Sequence, residues 1–262
     1  MDTPESLRPK KHIADIPENL DAQASKLRGL VHDLGLEIDE PMSRTLVDYL
    51  VLMLRQNETM NLTAIREWDK ALLLHLADSL VPLPEFRSVM AKNPGKPFLD
   101  MGSGAGLPGI PFGITNPGIH GVLCDSVKKK MTAVDGFISA LGLDGQLTTT
   151  SMRLEELGAR HRGEFGCVTA RALASLPVLV EYATPLLVQG GSFIAIKGKP
   201  EEEELKAGSR AAQLCGLTVQ SMRTIALPAD AGERTIIVYE KVAGTTLRLP
   251  RQVGEAAKHP LA

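Results

Sequence analysis

The sequence predicts an α/β protein: a seven-stranded, mostly parallel sheet with an antiparallel last strand, preceded by a helical N-terminal extension. Three observations carry this. Up to about residue 92 apolar residues recur every three or four positions, whereas from Pro97 short apolar runs alternate with helical stretches, the mark of βαβ units. The apolar run at 98–101 passes directly into a turn with glycines at 102, 104 and 106. The last two apolar runs are separated only by a loop around 228–233, as in an antiparallel hairpin closing a sheet edge.

Leu20, Ala24, Leu27, Val31 and Leu34 step by four and three, so 20–34 is expected as an amphipathic helix with Gly35 past its end. A second helix is expected over 41–56, where Pro41 suits a first turn and Leu46, Leu50, Met53 and Leu54 make the stripe. Trp68, Leu72, Leu76 and Leu80 define a third over 67–81, so three helices precede the first strand. Strands are expected at 98–101, 120–124, 146–149, 166–170, 192–197, 218–226 and 235–241, with helices at 128–141, 176–188 and 201–214 among the stretches between them. Seven strands ending in a hairpin is the architecture of Rossmann-like methyltransferases; a nucleotide dehydrogenase usually continues with parallel strands and a separate substrate domain. The chain accordingly divides into a flexible segment 1–19, a helical segment 20–92 packed on the main domain, an α/β domain 93–242 and a flexible tail 243–262, whose Pro, Gly and scattered charge lack periodicity.

With 262 residues there is room for one large domain, and 44% hydrophobic with 23% charged residues is an ordinary globular balance. Lys+Arg 29 against Asp+Glu 31 leaves a net charge of −2, so bulk charge points to no polyanion, although a local patch can still bind one. No apolar run reaches the roughly 20 residues of a membrane span, and residues 1–20 lack a secretory apolar core. A cytoplasmic protein without a membrane partner is expected. Cys124, Cys167 and Cys215 form no CxxC pair and sit in apolar surroundings, which suggests buried inert thiols. The six histidines make no metal-binding spacing, and no metal is expected.

The strongest chemical signal is Phe98-Leu-Asp-Met-Gly-Ser-Gly-Ala-Gly-Leu-Pro-Gly-Ile-Pro111. Gly102, Gly104 and Gly106 let backbone approach a ligand, and the spacing is GxGxG: Leu107 stands where the dinucleotide fingerprint has its third glycine. That pattern suits a loop wrapped around an amino-acid and nucleoside moiety rather than a diphosphate. Asp125 ends the next strand, where a carboxylate accepts from both hydroxyls of an adenosine ribose; with Ser126 it equally reads as the cap of the following helix. Arg153-Leu-Glu155 follows the third strand at a place where adenine is met, although Glu155 taken alone reads as a solvated helix residue.

At this point the chain resembles the bacterial small-subunit ribosomal RNA methyltransferase G family, also called glucose-inhibited division protein B. The resemblance spans about 57–240 and rests on ordered motifs: Asn61-Leu-Thr-Ala-Ile65, His75 with Asp78-Ser-Leu80, the 100–111 loop, Leu123-Cys-Asp-Ser126, Thr169-Ala-Arg-Ala172 with Ala174-Ser-Leu-Pro177, Lys197-Gly198 and Gly232-Glu-Arg234. It implies a Rossmann-like class I S-adenosylmethionine-dependent methyltransferase domain over 93–242 that transfers a methyl group from S-adenosyl-L-methionine to N7 of one guanosine in 16S ribosomal RNA. S-adenosyl-L-homocysteine is the implied product, the implied partner is that RNA or the small ribosomal subunit, and a monomer is expected. By similarity Gly102, Leu107, Leu154, Glu155 and Arg171 line the cofactor site, completed by Gly104 and Asp125. Where the family pattern usually has glycine, Arg-Phe and aspartate, this chain has Lys128, Thr132-Ala133 and Gly166.

What is missing fits that reaction. Pyrimidine C5 methylation needs a Pro-Cys nucleophile, and exocyclic amines commonly an Asn/Asp-Pro-Pro-aromatic loop; neither motif is present. Guanine N7 carries a lone pair and no proton, so no general base is expected and positioning dominates. Arg171 and Lys197, ending the fourth and fifth strands on the ligand side of the sheet, and Arg234 in the hairpin are candidates for positioning the acceptor. His75, Asp78 and Ser79 share one helix face, read either as core or as a face that bonds the glycine loop or borders the RNA pocket. Lys128, Lys129 and Lys130 open a helix, a poor place for cations unless they meet phosphate. The RNA-binding candidates are therefore Lys128, Lys129, Lys197, Arg234 and His75. Two alternatives remain open: a small-molecule methyltransferase on the same fold, disfavoured by 4% aromatics, and a non-catalytic ribosome-binding module.

Overall fold

The computed structural model describes residues 15–262. Asn19 caps α1 (Leu20–Asp33) by accepting from Ala22 N–H, and Asp39 caps α2 (Glu40–Asn57) by accepting from Met42 N–H. The third expected helix is one continuous run in three parts: α3 (Trp68–Ala71), a π-helical stretch Leu72–Ala77 and α4 (Asp78–Leu80). A fourth helix then precedes the sheet, α5 (Leu83–Lys92), which corrects the expected three. Pro82 and Pro84 read as a break in the sequence, but proline in a first turn starts a helix as readily as it ends one. The helix matters: Phe86 stacks on Phe112 at 4.2 Å and meets the edge of Phe98 at 5.1 Å.

The strands are β1 (Phe98–Met101), β2 (Gly121–Cys124), β3 (Leu147–Thr150), β4 (Phe165–Arg171), β5 (Leu187–Lys197), β6 (Leu217–Ala226) and β7 (Glu233–Lys241). Their order is β3-β2-β1-β4-β5-β7-β6. β1 to β5 are parallel and β7 enters antiparallel between β5 and β6, so the expected hairpin forms with β6 at the edge. β5 begins five residues before the expected 192, because Leu187 pairs with Phe165 ahead of a register shift. The remaining helices are α6 (Gly109–Thr115), α7 (Lys128–Ala140), α8 (Leu154–Arg160), α9 (Leu176–Ala183), α10 (Glu202–Leu214) and α11 (Glu255–Lys258).

Alternation along the strands makes two cores. Phe98, Leu123, Cys167, Ile194, Ile236 and Val238 face a core shared with α1, α2, α5 and α7. Leu99, Met101, Val168, Phe193, Ile237 and Tyr239 face the other, shared with α9 and α10. The helical N-terminal extension is thus one wall of the main core. The three cysteines are buried and free.

The tail expected to lie outside the packed domain does not. Leu249 is 5% and Ala256 1% exposed, and Arg251 pairs with Glu181 of α9. Its lack of periodicity is that of an irregular strap held by single anchors. Of the expected flexible segment 1–19, residues 1–14 lie outside those described. No helix among the described residues is long and apolar enough to cross a membrane.

Candidate active site

Strand order reverses between β1 and β4, so their carboxyl ends open a crevice. Into it runs the glycine loop. Gly102, Gly104 and Gly106 all have positive φ (70°, 61° and 99°), a conformation that costs glycine little. A Cβ on Gly106 would stand 2.7 Å from Ile110 Cδ1 and 3.3 Å from the Tyr49 hydroxyl, so the loop is also pressed against the helical extension. Tyr49 of α2 donates to Ala105 O at 2.8 Å and ties that extension to the loop.

Behind the loop Asp100 is fully buried, accepting from Gly109 N–H (3.0 Å) at the start of α6 and from Thr169 Oγ1–H (3.1 Å) on β4. Burial pushes its carboxyl up to about 7, and these two bonds oppose the shift. Asp125 is the second carboxylate. Its Oδ2 accepts from Gly104 N–H at 3.2 Å and its Oδ1 from Val127 N–H at 2.9 Å, so one carboxylate holds both the glycine loop and the turn into α7.

The first glycine of the loop and Asp125 border a cavity of about 210 Å³. Gly102, Asp125, Leu154 and Glu155, all expected there, line it. So do Met152, Leu173, Tyr182, Gly254 and Ala257, which sequence reasoning missed. Leu173 follows Ala172, whose φ of +51° turns the chain back over the loop, and it lies where a Cβ on Gly102 would be, 2.6 Å from Cδ1. Gly254 and Ala257 come from the tail, for which no sequence signal existed. Glu155 is 7% exposed rather than solvated, with Oε1 accepting from Gly254 N–H (2.7 Å) and Tyr182 Oη–H (3.3 Å). Burial first, and Glu155 next, push the Tyr182 hydroxyl up to about 12. Cys124 also lines the cavity, and burial pushes its thiol up to about 12.

The other expected residues lie elsewhere. Leu107 is buried in the core shared with the helical extension, and Gly104 reaches the cavity only through Asp125. Arg171 turns away from the cavity and donates to Asp78 Oδ2 (3.3 Å) and Leu74 O (3.4 Å). Arg234 grips the same aspartate, with Nε 2.7 Å from Oδ1 and Nη2 donating to Oδ2 at 3.1 Å. The π-helical turn explains why Leu74 O is within reach: there the hydrogen-bond register shifts to i→i+5, as in the bond from Asp78 N–H to Leu73 O.

Of the two readings of the face shared by His75, Asp78 and Ser79 the core one holds: all three are buried, and among the described residues the face makes no bond to the glycine loop. Instead His75 Nε2 meets Thr63 Oγ1 at 2.9 Å, Ser79 donates to His75 O, and Asp78 serves the two arginines. His75 is 7% exposed, an inward residue holding the Asn61–Ile65 turn rather than a surface contact. Lys197 likewise is committed, 2.8 Å from Glu204 Oε1 and donating to Ala174 O at 3.0 Å. Lys128 and Lys129 are exposed on α7, whereas Lys130 lies 3.6 Å from Asp125.

A family model for rRNA small subunit methyltransferase G matches residues 42–236. The chain belongs to the rRNA small subunit methyltransferase G family. The enzyme of that name from Deinococcus radiodurans is 40% identical over 237 residues, covering 90% of this chain and 91% of its own. That from Lactobacillus johnsonii is 34% identical over 229 residues, 87% and 95%. Among solved structures the antibiotic-resistance methyltransferase Kmr shares the fold, with a TM-score of 0.50 and 16% identity over 62% of this chain and 93% of that one. The methyltransferase G match spans the helical extension from Met42 and the sheet as far as the start of β7, so the wall that Tyr49 ties to the glycine loop belongs to the family's unit.

The cavity suits S-adenosylmethionine. Two carboxylates, Asp125 and Glu155, supply the acceptors that ribose hydroxyls and an adenine amine require, between apolar walls of Met152, Leu154 and Leu173. In the loop itself the buried Ser103 hydroxyl has no partner among the described residues.

Proposed function

We propose that the chain transfers the methyl group of S-adenosyl-L-methionine to N7 of one guanosine in 16S ribosomal RNA, acting in the cytoplasm as a monomer on that RNA or the small subunit. The observation that carries this is the cavity at the ends of β1 and β2, with its glycine loop and two carboxylates, in a chain of the methyltransferase G family. When bound, the cofactor supplies a sulfonium methyl: the S–CH₃ bond breaks as the N7–C bond forms, and the positive charge passes from sulfur to the base.

The residues around the crevice fit an acceptor that needs no deprotonation. Cys124 is held as a thiol, which disfavours a covalent route to a pyrimidine carbon. Asp125 and Glu155 already accept two bonds each and orient rather than abstract. Catalysis then rests on placing a lone pair in line with the methyl and excluding water. Arg171 and Arg234 act in this through Asp78, fixing the ends of β4 and β7 that flank the acceptor side, and Lys197 does the same through Glu204. Lys128 and Lys129, exposed on α7 and without an ion pair among the described residues, are cations available for phosphate.

Labelled S-adenosylmethionine with small subunits lacking the modification tests the proposal, followed by mapping of N7-methylguanosine through chemical cleavage. One labelled guanosine is expected. Cofactor binding without RNA labelling would favour a small-molecule acceptor, and no cofactor binding a non-catalytic module.

A further inference from the structure

The tail builds a wall of the cavity although it lies beyond the last strand and beyond the family-matched span 42–236. Arg251 anchors it: its Nε donates to Glu181 Oε1 at 2.8 Å and its Nη2 to Oε2, and Glu181 is 2% exposed on α9. The same Nη2 donates to His259 O at 2.8 Å, drawing the two ends of the strap 251–259 together. Buried Ala256 and Leu249 seat it on the sheet domain. From this base Gly254, at φ +80°, presents its N–H to Glu155 Oε1, while Gly254 and Ala257 face the cavity.

We propose that residues 249–259 form a cofactor-positioning strap, which fixes the Glu155 carboxylate and closes the Glu155 side of the cavity, so that affinity for S-adenosylmethionine depends on the tail. The inference rests on the reading that this cavity takes that cofactor. Glu155 stands in the first turn of α8, where a side chain with three rotatable bonds has little to hold it. Two donors hold it here, Tyr182 from α9 and Gly254 from the strap, and Arg251 ties the strap back to α9 only one residue before Tyr182. The strap and α9 are thus a single clamp on one carboxylate oxygen. Because the strap's donor is backbone, sequence patterning at 254 carries no trace of the role beyond a glycine.

Calorimetric titration of S-adenosylmethionine is made into the intact chain, into a chain ending at Arg248, and into Ala257→Trp. Ala257 is exposed at the cavity rim, so a larger side chain there obstructs the opening without pressing on the core. Both variants are expected to bind about tenfold or more weakly, with the ligand-free melting temperature of Ala257→Trp unchanged. On small subunits the loss should appear as a raised cofactor KM with kcat retained at saturation. If the truncated chain does not fold, Ala257→Trp decides. An affinity within about twofold of the intact chain in Ala257→Trp, or in a folded truncated chain, overturns the strap's role. Absence of binding to the intact chain overturns the cofactor reading itself, a different result from variants that match it.

Discussion

Asp125 meets two structural demands with one side chain, since it accepts from the glycine loop through Oδ2 and from the start of the α7 turn through Oδ1. Asp125→Ala removes a charged acceptor from the cavity wall as well, so cofactor affinity measured by titration is expected to fall about tenfold or more. Two other groups set the acid dependence of stability. Asp100, pushed up to about 7 by burial, binds more protons folded than unfolded, so its contribution falls as pH rises from 3.8 towards 7. His75, pushed down to about 4 by burial and then by Arg171, binds fewer protons folded, so its contribution is lost as pH falls from 6.5 towards 4. The slopes oppose one another over that window. His75→Gln removes one of them, and urea midpoints across pH 4 to 6.5 should then rise on acidification relative to the wild type; parallel curves would contradict the assignment. The spacing of His75, Asp78 and Ser79 on one helix face was legible in the sequence, but their partners were not. Thr63, Arg171 and Arg234 reach that face from three separate segments.

At the scale of elements, the helix from Trp68 to Leu80 and the ends of β4 and β7 are joined by one aspartate. Asp78 has 4% side-chain exposure and takes both arginines, whose own side chains are 15% and 20% exposed. Asp78→Ala leaves two guanidinium groups close together with no counter-charge and is expected to cost about 3–5 kcal/mol in urea unfolding. Methylation by the folded variant should fall as well, because the ends of β4 and β7 lose the aspartate that holds both arginines. The π-helical stretch immediately before Asp78 could not be read from the apolar stripe, because Trp68, Leu72, Leu76 and Leu80 satisfy an ordinary helical period. An inserted backbone register changes which carbonyl is free, not which residues are apolar.

Over the whole molecule charge is nearly balanced, so RNA affinity must come from a local surface. Most cations near the crevice are neutralised: Arg171 and Arg234 by Asp78, Lys197 by Glu204, Lys130 by Asp125. Lys128 and Lys129 are exposed. Changing both to Ala is expected to weaken binding to small subunits and to lower the slope of log K against log salt by about one per contact. Cofactor titration should not change. An unaltered salt slope would move the RNA surface elsewhere.

The sequence by itself determined the sheet, its hairpin edge, the glycine loop and the Asp125 carboxylate at the end of β2. Strand period, glycine at positive φ and a carboxylate at a strand end are local requirements, each written in consecutive residues. Only the tertiary structure decided where Arg171 points, that Glu155 is buried, that Leu173 lies over Gly102 and that the C-terminal strap forms a cavity wall. Each of these depends on a partner distant in the chain, as Gly254 is 99 residues from Glu155. A backbone N–H that finds its acceptor across such a distance leaves no pattern in composition or spacing, because every residue except proline carries the same group.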